Sequence, residues 1–252
     1  MPLTADDICR AAWPAAQWER VDEEADLLAR MFEQPAQSLV RLGDGELGLL
    51  RRGATDPIAR ELLRAIHAAG VLGLPERFDG RMHPWRTALR AEIAALADGR
   101  CPPSPVISAV LPLYRPSIIA RIARGRRVLW VTHKAGVIVH RLKFAAFCEC
   151  YGFDEGRADA ALDTVPGRTL PNDTPDPLAK AREICAAIEA QEFDLAIVGM
   201  GALGKLLVRH VAQEMRRPAL DAGCILSAYR GDWGDRLVFQ RELKDLVWKT
   251  RL

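Results

Sequence analysis

The chain is expected to fold as an α/β protein, a mostly parallel sheet covered by helices on both faces. Three observations point there. Short apolar runs at residues 38–42, 70–74, 105–111, 126–132, 193–199 and 218–222 have strand length. The segments 83–97, 135–151, 176–190 and 203–215 alternate with them and have helix length and composition. An apolar fraction of 49% over 252 residues is ample for a core of this kind.

The elements follow in chain order. Residues 1–37 are expected to form an N-terminal helical segment, and residues 38–252 the α/β domain. In the first part Ala25, Leu27, Leu28 and Met31 make an apolar stripe at helical spacing, with Trp13 and Trp18 ahead of it as packing anchors.

The first strand runs into Gly43-Asp44-Gly45-Glu46, two carboxylates on one turn with backbone room beside them. That pattern suits a divalent cation carrying phosphate oxygens. The same residues also fit a helix start, with Asp44 as N-cap of a helix through Glu46, Leu47, Leu49 and Leu50. Both readings stay open. In parallel sheets ligands collect at the carboxyl ends of strands, where the loops after Trp130 and Val198 also begin.

After the run 126–132 comes His133-Lys134. His133 is a candidate acid or base and Lys134 a phosphate contact, against the plainer role of capping the next helix. His67, His83, His140 and His210 show no metal-ligand spacing with one another. The segment 165–177 holds the densest turn chemistry and is expected to be a loop over the site or a surface excursion. Trp85 is a candidate sugar-stacking residue or, alternatively, a core side chain.

The strand ending at Val198 opens into Gly199-Met200-Gly201-Ala202-Leu203-Gly204, a G-x-G-x-x-G pattern in strand-loop-helix context. Glycines there let a ligand approach the backbone, and the following helix offers free N–H groups to an anion. Asp221 closes the next apolar run, where a dinucleotide fold places a ribose-binding acid. These residues support an enzyme using NAD or S-adenosylmethionine, yet only about fifty residues follow the motif, too few for a conventional dinucleotide fold placed after it. Lys205 does not complete a P-loop, because the spacing is wrong.

Composition narrows the classes. With 35 basic and 33 acidic residues there is no broad cationic face, and the basic clusters Arg51-Arg52 and 121–127 lack interleaved aromatics. No nucleic-acid partner is expected. The start lacks a signal-peptide pattern, and no apolar run approaches the roughly 18 residues of a membrane span. A cytoplasmic protein without a transmembrane segment follows as the expectation. The six cysteines are scattered, and Cys148 and Cys150 stand too close for the usual zinc spacing. They are expected to be reduced.

Arg41-Leu42-Gly43-Asp44-Gly45-Glu46 resembles the R-[YF]-G-D-G-E hallmark of the glycosyltransferase family with the GT-D fold, with Leu at the aromatic position. The later strand-loop-helix-strand from Phe193 to Ile225 occupies the places of that family's Gly-Pro-Thr-Ala loop and its Asp-Ile-Gly-His-Ile strand, so the resemblance spans about residues 38–230. It departs from the pattern at Gly199-Met200-Gly201-Ala202, at Cys224 in place of His, and at 227–230.

The resemblance implies a mostly parallel, Rossmann-like sheet of the GT-D type and transfer of a sugar from a nucleotide-diphosphate donor to an acceptor hydroxyl. Polysaccharide or glycoconjugate biosynthesis is the implied setting. It implies Mn2+ or Mg2+ held by Asp44 and Glu46. Arg41, Gly43, Gly45, Gly199, Gly201, Gly204 and Lys134 would be donor contacts, and Asp221 and His133 would join Asp44 and Glu46 as catalytic residues. The partners are then a nucleotide-sugar donor and a glycan or glycoconjugate acceptor, which would place the enzyme peripherally at a membrane if the acceptor sits there. Homo-oligomerisation is left open. A non-catalytic binding module on the same fold is the other alternative, suggested by the altered Asp221-Ala222-Gly223-Cys224 strand end.

Overall fold

The computed structural model describes residues 15–53, 55–74, 106–108, 117–132, 149–154 and 176–223. Helix α1 (Ala15–Met31) leads into strand β1 (Ser38–Arg41), the short helix α2 (Asp44–Leu50), α3 (Pro57–His67) and β2 (Val71–Leu74). Then come β3 (Val106–Ser108), α4 (Ser117–Ala123), β4 (Arg127–Thr132), β5 (Glu149–Asp154), α5 (Pro177–Glu189), β6 (Leu195–Gly199), α6 (Gly201–Gln213) and β7 (Ala219–Asp221).

The seven strands form one sheet in the order β3-β2-β1-β7-β6-β4-β5, and every pairing is parallel. The expected fold class is therefore present. Parallel neighbours require crossovers; α2 and α3 supply the one from β1 to β2, and α6 the one from β6 to β7. Strand β7, the last among the described residues, fills the centre between β1 and β6: Leu220 is in register with Leu39 on one side and Ile197 on the other.

The strands are buried on both faces, and the pleat sends successive side chains to opposite sides. Val40 and Leu42 of the first strand segment, Leu129 and Val131 of β4, and Ala196 and Val198 of β6 share one core with α2, α3, α5 and α6. The alternate positions Leu39, Val128, Trp130, Leu195, Ile197 and Leu220 are equally buried and point to the opposite face. Leu28 and Phe32, with Ile118, Ile119 and Ile122 of α4, are buried outside the first core. Arg121 of α4 pairs with Asp26 of α1 at 2.5 Å, tying those two helices together.

Local chemistry explains the helix starts. Asp56 accepts hydrogen bonds from the N–H groups of Ile58 (2.8 Å) and Ala59 (3.1 Å), with Pro57 at the first helical position of α3. Asp176 and Pro177 repeat the device at α5, where Asp176 accepts from Ala179 N–H at 2.8 Å.

Two expectations need correction. The last residues of the helix expected over 135–151 are strand: Glu149–Asp154 pairs with β4 from Arg127 to Thr132. Helices α3 and α4 occupy stretches where no helix was read. The expectations for residues 1–14, 83–97, Trp85, His133, Lys134, His140, Cys148, the loop up to residue 175 and everything after Gly223 lie outside the described residues.

Candidate functional site

The carboxyl ends of β1, β6 and β7 are adjacent in the sheet, so Arg41, Gly199 and Asp221 arrive at one edge. Four buried charged side chains gather there: Arg41, Glu46, Lys205 and Asp221, each less than 10% exposed. Among them the formal charges cancel.

Lys205 is the hub. Its ammonium donates to Asp221 Oδ2 at 2.9 Å, to Glu46 Oε1 at 3.0 Å and to the Gly201 carbonyl at 3.0 Å. Burial alone would lower its pKa, but the carboxylates of Asp221 and Glu46 outweigh that and hold it above the ordinary lysine value. Lys205 thus stays charged inside the protein.

Glu46 is also held from its other side. Its Oε2 accepts the Gly43 N–H at 2.7 Å, the reach-back of a glutamate three residues into a helix that satisfies the donor just before it. Burial pushes its pKa up, and Lys205 together with the Gly43 N–H pulls it net below the usual carboxylate value. A helix does run through this segment, but Asp44 is its first residue and not its N-cap, the position that falls to Gly43.

Asp221 is wholly buried. Besides Lys205, its Oδ2 accepts from the Arg41 backbone N–H at 3.3 Å and its Oδ1 from the Gly223 N–H at 3.0 Å. Its carboxylate fastens the end of β7 to the end of β1.

Arg41 donates through Nη1 to the Ala222 carbonyl. Among the described residues its buried Nε meets no acceptor. Gly223 lies beneath the guanidinium with φ +57°, where a Cβ would stand 2.6 Å from Arg41 Nη1. Only glycine fits there without displacing the arginine.

The glycine turn after β6 behaves as its spacing requires. Gly201 has φ +53°, and a Cβ on Gly204 would stand 3.4 Å from Val198 Cγ1, so this turn of α6 lies against the side chain of β6. Met200 precedes α6 and gives no side-chain cap, which leaves the first-turn N–H groups of a 13-residue helix without a side-chain acceptor there. Beside this turn, Thr132 Oγ1 donates to the Gly199 carbonyl at 3.1 Å.

Of the sequence-predicted residues, Arg41, Gly43, Glu46, Gly201 and Asp221 meet directly through or beside Lys205, and Gly199 and Gly204 frame the same turn. Lys205 was not among the predicted site residues. The signal for it was a lone lysine in the apolar run Ala202-Leu203-Gly204-Lys205-Leu206-Leu207-Val208, a residue that can be buried only with acids to receive it.

A divalent cation does not fit at Glu46 in this arrangement. Both carboxylate oxygens have partners, and a metal on Oε1 would share that oxygen with an ammonium 3.0 Å away. No group of three or more His, Cys, Asp or Glu side chains among the described residues is arranged to hold a metal ion. A separate groove of about 510 Å³ between α3, α5 and α6 includes none of the four clustered charges in its walls.

The fold and site define an open parallel α/β protein with a buried charge cluster at the carboxyl edge of its sheet. No protein-family profile matches the chain, and no curated protein matches it. Three solved structures resemble it. A selenomethionine form of domain of unknown function 1792 shows 17% identity and a TM-score of 0.46, over 78% of this chain and 75% of that one. A second structure, described as a domain of unknown function 1792 with a distinct glycosyltransferase fold, gives 16% and 0.47 over the same shares. The third, described as a new glycosyltransferase of that domain from Streptococcus sanguinis, gives 16% and 0.48, over 89% of this chain and 84% of that one. No helix among the described residues is long and apolar enough to cross a membrane.

Proposed function

We propose that the protein is a glycosyltransferase that moves a sugar from a nucleotide-diphosphate donor to an acceptor hydroxyl in glycan or glycoconjugate synthesis. The observation that carries this reading is the convergence of Arg41 and the uncapped start of α6 at one sheet edge, with the Arg-x-Gly-Asp-Gly-Glu segment folded into the same cluster. A diphosphate needs backbone N–H donors and a fixed guanidinium, and both are supplied there.

In the transfer, the bond from the sugar anomeric carbon to the diphosphate oxygen breaks, and a bond from that carbon to the acceptor oxygen forms. The acceptor hydroxyl loses its proton to a base, and the diphosphate leaves with the electron pair. Arg41 Nε and the N–H groups at Gly201 and Ala202 would receive the leaving charge. A Cβ on Gly43 would stand 3.0 Å from Glu46 Oε2, so glycine there leaves room for that carboxylate. His133 and Lys134 are the candidates for the base and a further phosphate contact. Asp44 alone of the expected metal pair is left for Mn2+ or Mg2+, and the roles above are assigned to the protein's own groups.

The glycine turn between adjacent parallel strands favours a rival, a nicotinamide or S-adenosylmethionine site. Asp221 weighs against it, because the carboxylate that would take the ribose is fully buried and bonded to Lys205, Arg41 and Gly223. Thermal melting with sugar nucleotides, nucleoside diphosphates, NAD and S-adenosylmethionine separates the two. Ligand at about 100 times its Kd adds about 2.7 kcal/mol, roughly 5–10 °C for a chain this size. A rise with a sugar nucleotide is expected, and a rise with NAD or S-adenosylmethionine alone would overturn the transferase reading.

A further inference from the structure

We propose that Lys205 is the resident cation of the Glu46–Asp221 acid pair, so that these two carboxylates position the strand ends and do not ligate a divalent metal. The idea starts from a charge count. Two carboxylates brought together inside a protein need a positive charge between them, and either a metal or an ammonium can supply it. Here the ammonium is already in place, 3.0 Å from one acid and 2.9 Å from the other, on a side chain 5% exposed.

The rest of the geometry locks that choice. The Gly201 carbonyl takes the third ammonium proton, which leaves Lys205 with no donor to offer elsewhere. Lys205 stands one helical turn after Gly201, and at Gly204 that turn of α6 lies against Val198 of β6. Glu46 is fixed by the Gly43 N–H, and Asp221 by Arg41 and Gly223. A metal on Glu46 Oε1 would have to displace an ammonium that Asp221 and the Gly201 carbonyl hold at that spot.

Lys205 is therefore a positioning residue. It joins α6 to the segment after β1 and to the end of β7, and so sets where Arg41 and the start of α6 stand relative to each other. In its bearing on a sugar-nucleotide site the inference rests on the function proposed above, but the occupancy of the acid pair is testable without it.

The experiment measures Mn2+ uptake by the loss of the free-ion electron paramagnetic resonance signal, using the full chain as wild type, Glu46→Gln, Lys205→Ala and Lys205→Ala/Glu46→Gln, with circular dichroism as the check on folding. Wild type and Glu46→Gln should agree within about twofold, whatever Mn2+ they take up elsewhere. Lys205→Ala should gain Mn2+ affinity of about tenfold or more, and the double variant should lose that gain. A drop of about tenfold on Glu46→Gln in the wild-type background would overturn the inference, as would a folded Lys205→Ala with no gain. Should Lys205→Ala not fold, the first comparison still decides. A parallel arm adds a nucleoside diphosphate in chelator to the wild type and follows the melting temperature. Failure of that arm alone strikes the transferase reading and leaves the Lys205 assignment standing.

Discussion

Replacing Lys205 with Met keeps most of the apolar stem and removes the ammonium with its charge, which isolates the ammonium's contribution. Glu46 Oε1 and Asp221 Oδ2 then face each other without a cation, on side chains 9% and 0% exposed. Removing one partner of a buried ion pair costs about 3–5 kcal/mol, and with two acids stranded the upper end is the better expectation. For a chain of this size that corresponds to a melting point lower by roughly 10–20 °C.

The pH dependence has a definite sign. In the wild type, Glu46 is held below the ordinary carboxylate value despite its burial, chiefly by Lys205. Its contribution is complete above the unfolded pKa and disappears as pH falls through the lower folded value. In Lys205→Met the Glu46 carboxyl keeps its burial and loses that cation, so it sits above its unfolded value and the folded state gains stability as pH falls. Urea unfolding at pH 7 and pH 5 should therefore show the gap between the two proteins narrowing on acidification. A loss under about 1 kcal/mol at pH 7, the value of an exposed pair, would refute the reasoning. So would a gap that widens toward pH 5.

Gly223→Ala should destabilise by at least about 1–2 kcal/mol from the left-handed backbone alone, with more from the 2.6 Å approach to Arg41; a urea midpoint equal to wild type would remove Gly223 as the seat of that guanidinium. Asp56→Ala deletes two hydrogen bonds at the start of α3 and should cost about 1 kcal/mol, while Asp56→Ser should recover most of it in the same melts. Cys185 has its thiol pushed up to about 11 by burial, with Glu189 adding to the rise and Arg209 opposing it. Alkylation at pH 8, followed by peptide mass spectrometry, should run about 100-fold slower there than for an ordinary exposed thiol, and a normal rate would contradict the burial.

The fold was legible because most strands are short apolar runs separated by helix-length segments, which is how a parallel sheet writes itself into sequence. Strand β5 was not, since Glu149-Cys150-Tyr151-Gly152-Phe153-Asp154 lies at the sheet edge with β4 as its one neighbour and carries polar ends. Helix α3 carried a full start signal in Asp56-Pro57, but it lies between two strands whose separation alone does not show where a helix begins. At the site, the acids Glu46 and Asp221 announced themselves by standing at the ends of apolar runs. Their partner did not, because Lys205 is 159 positions from Glu46 and 16 from Asp221, and only the pairing of β1 with β7 brings the three together. The glycines could be read as a pattern, yet which of them needs a positive φ is a property of the assembled turn: Gly201 does, at φ +53°.

The most direct test of the central claim is equilibrium dialysis of a nucleoside diphosphate in chelator against the wild type and a folded Arg41→Met variant. Saturable binding to the wild type, weakened about tenfold or more by Arg41→Met, is the predicted result, since a hydrogen bond from a charged donor contributes about 1.5–3 kcal/mol. Absence of saturable binding, or binding indifferent to the loss of Arg41, would contradict the assignment of this sheet edge as the donor site.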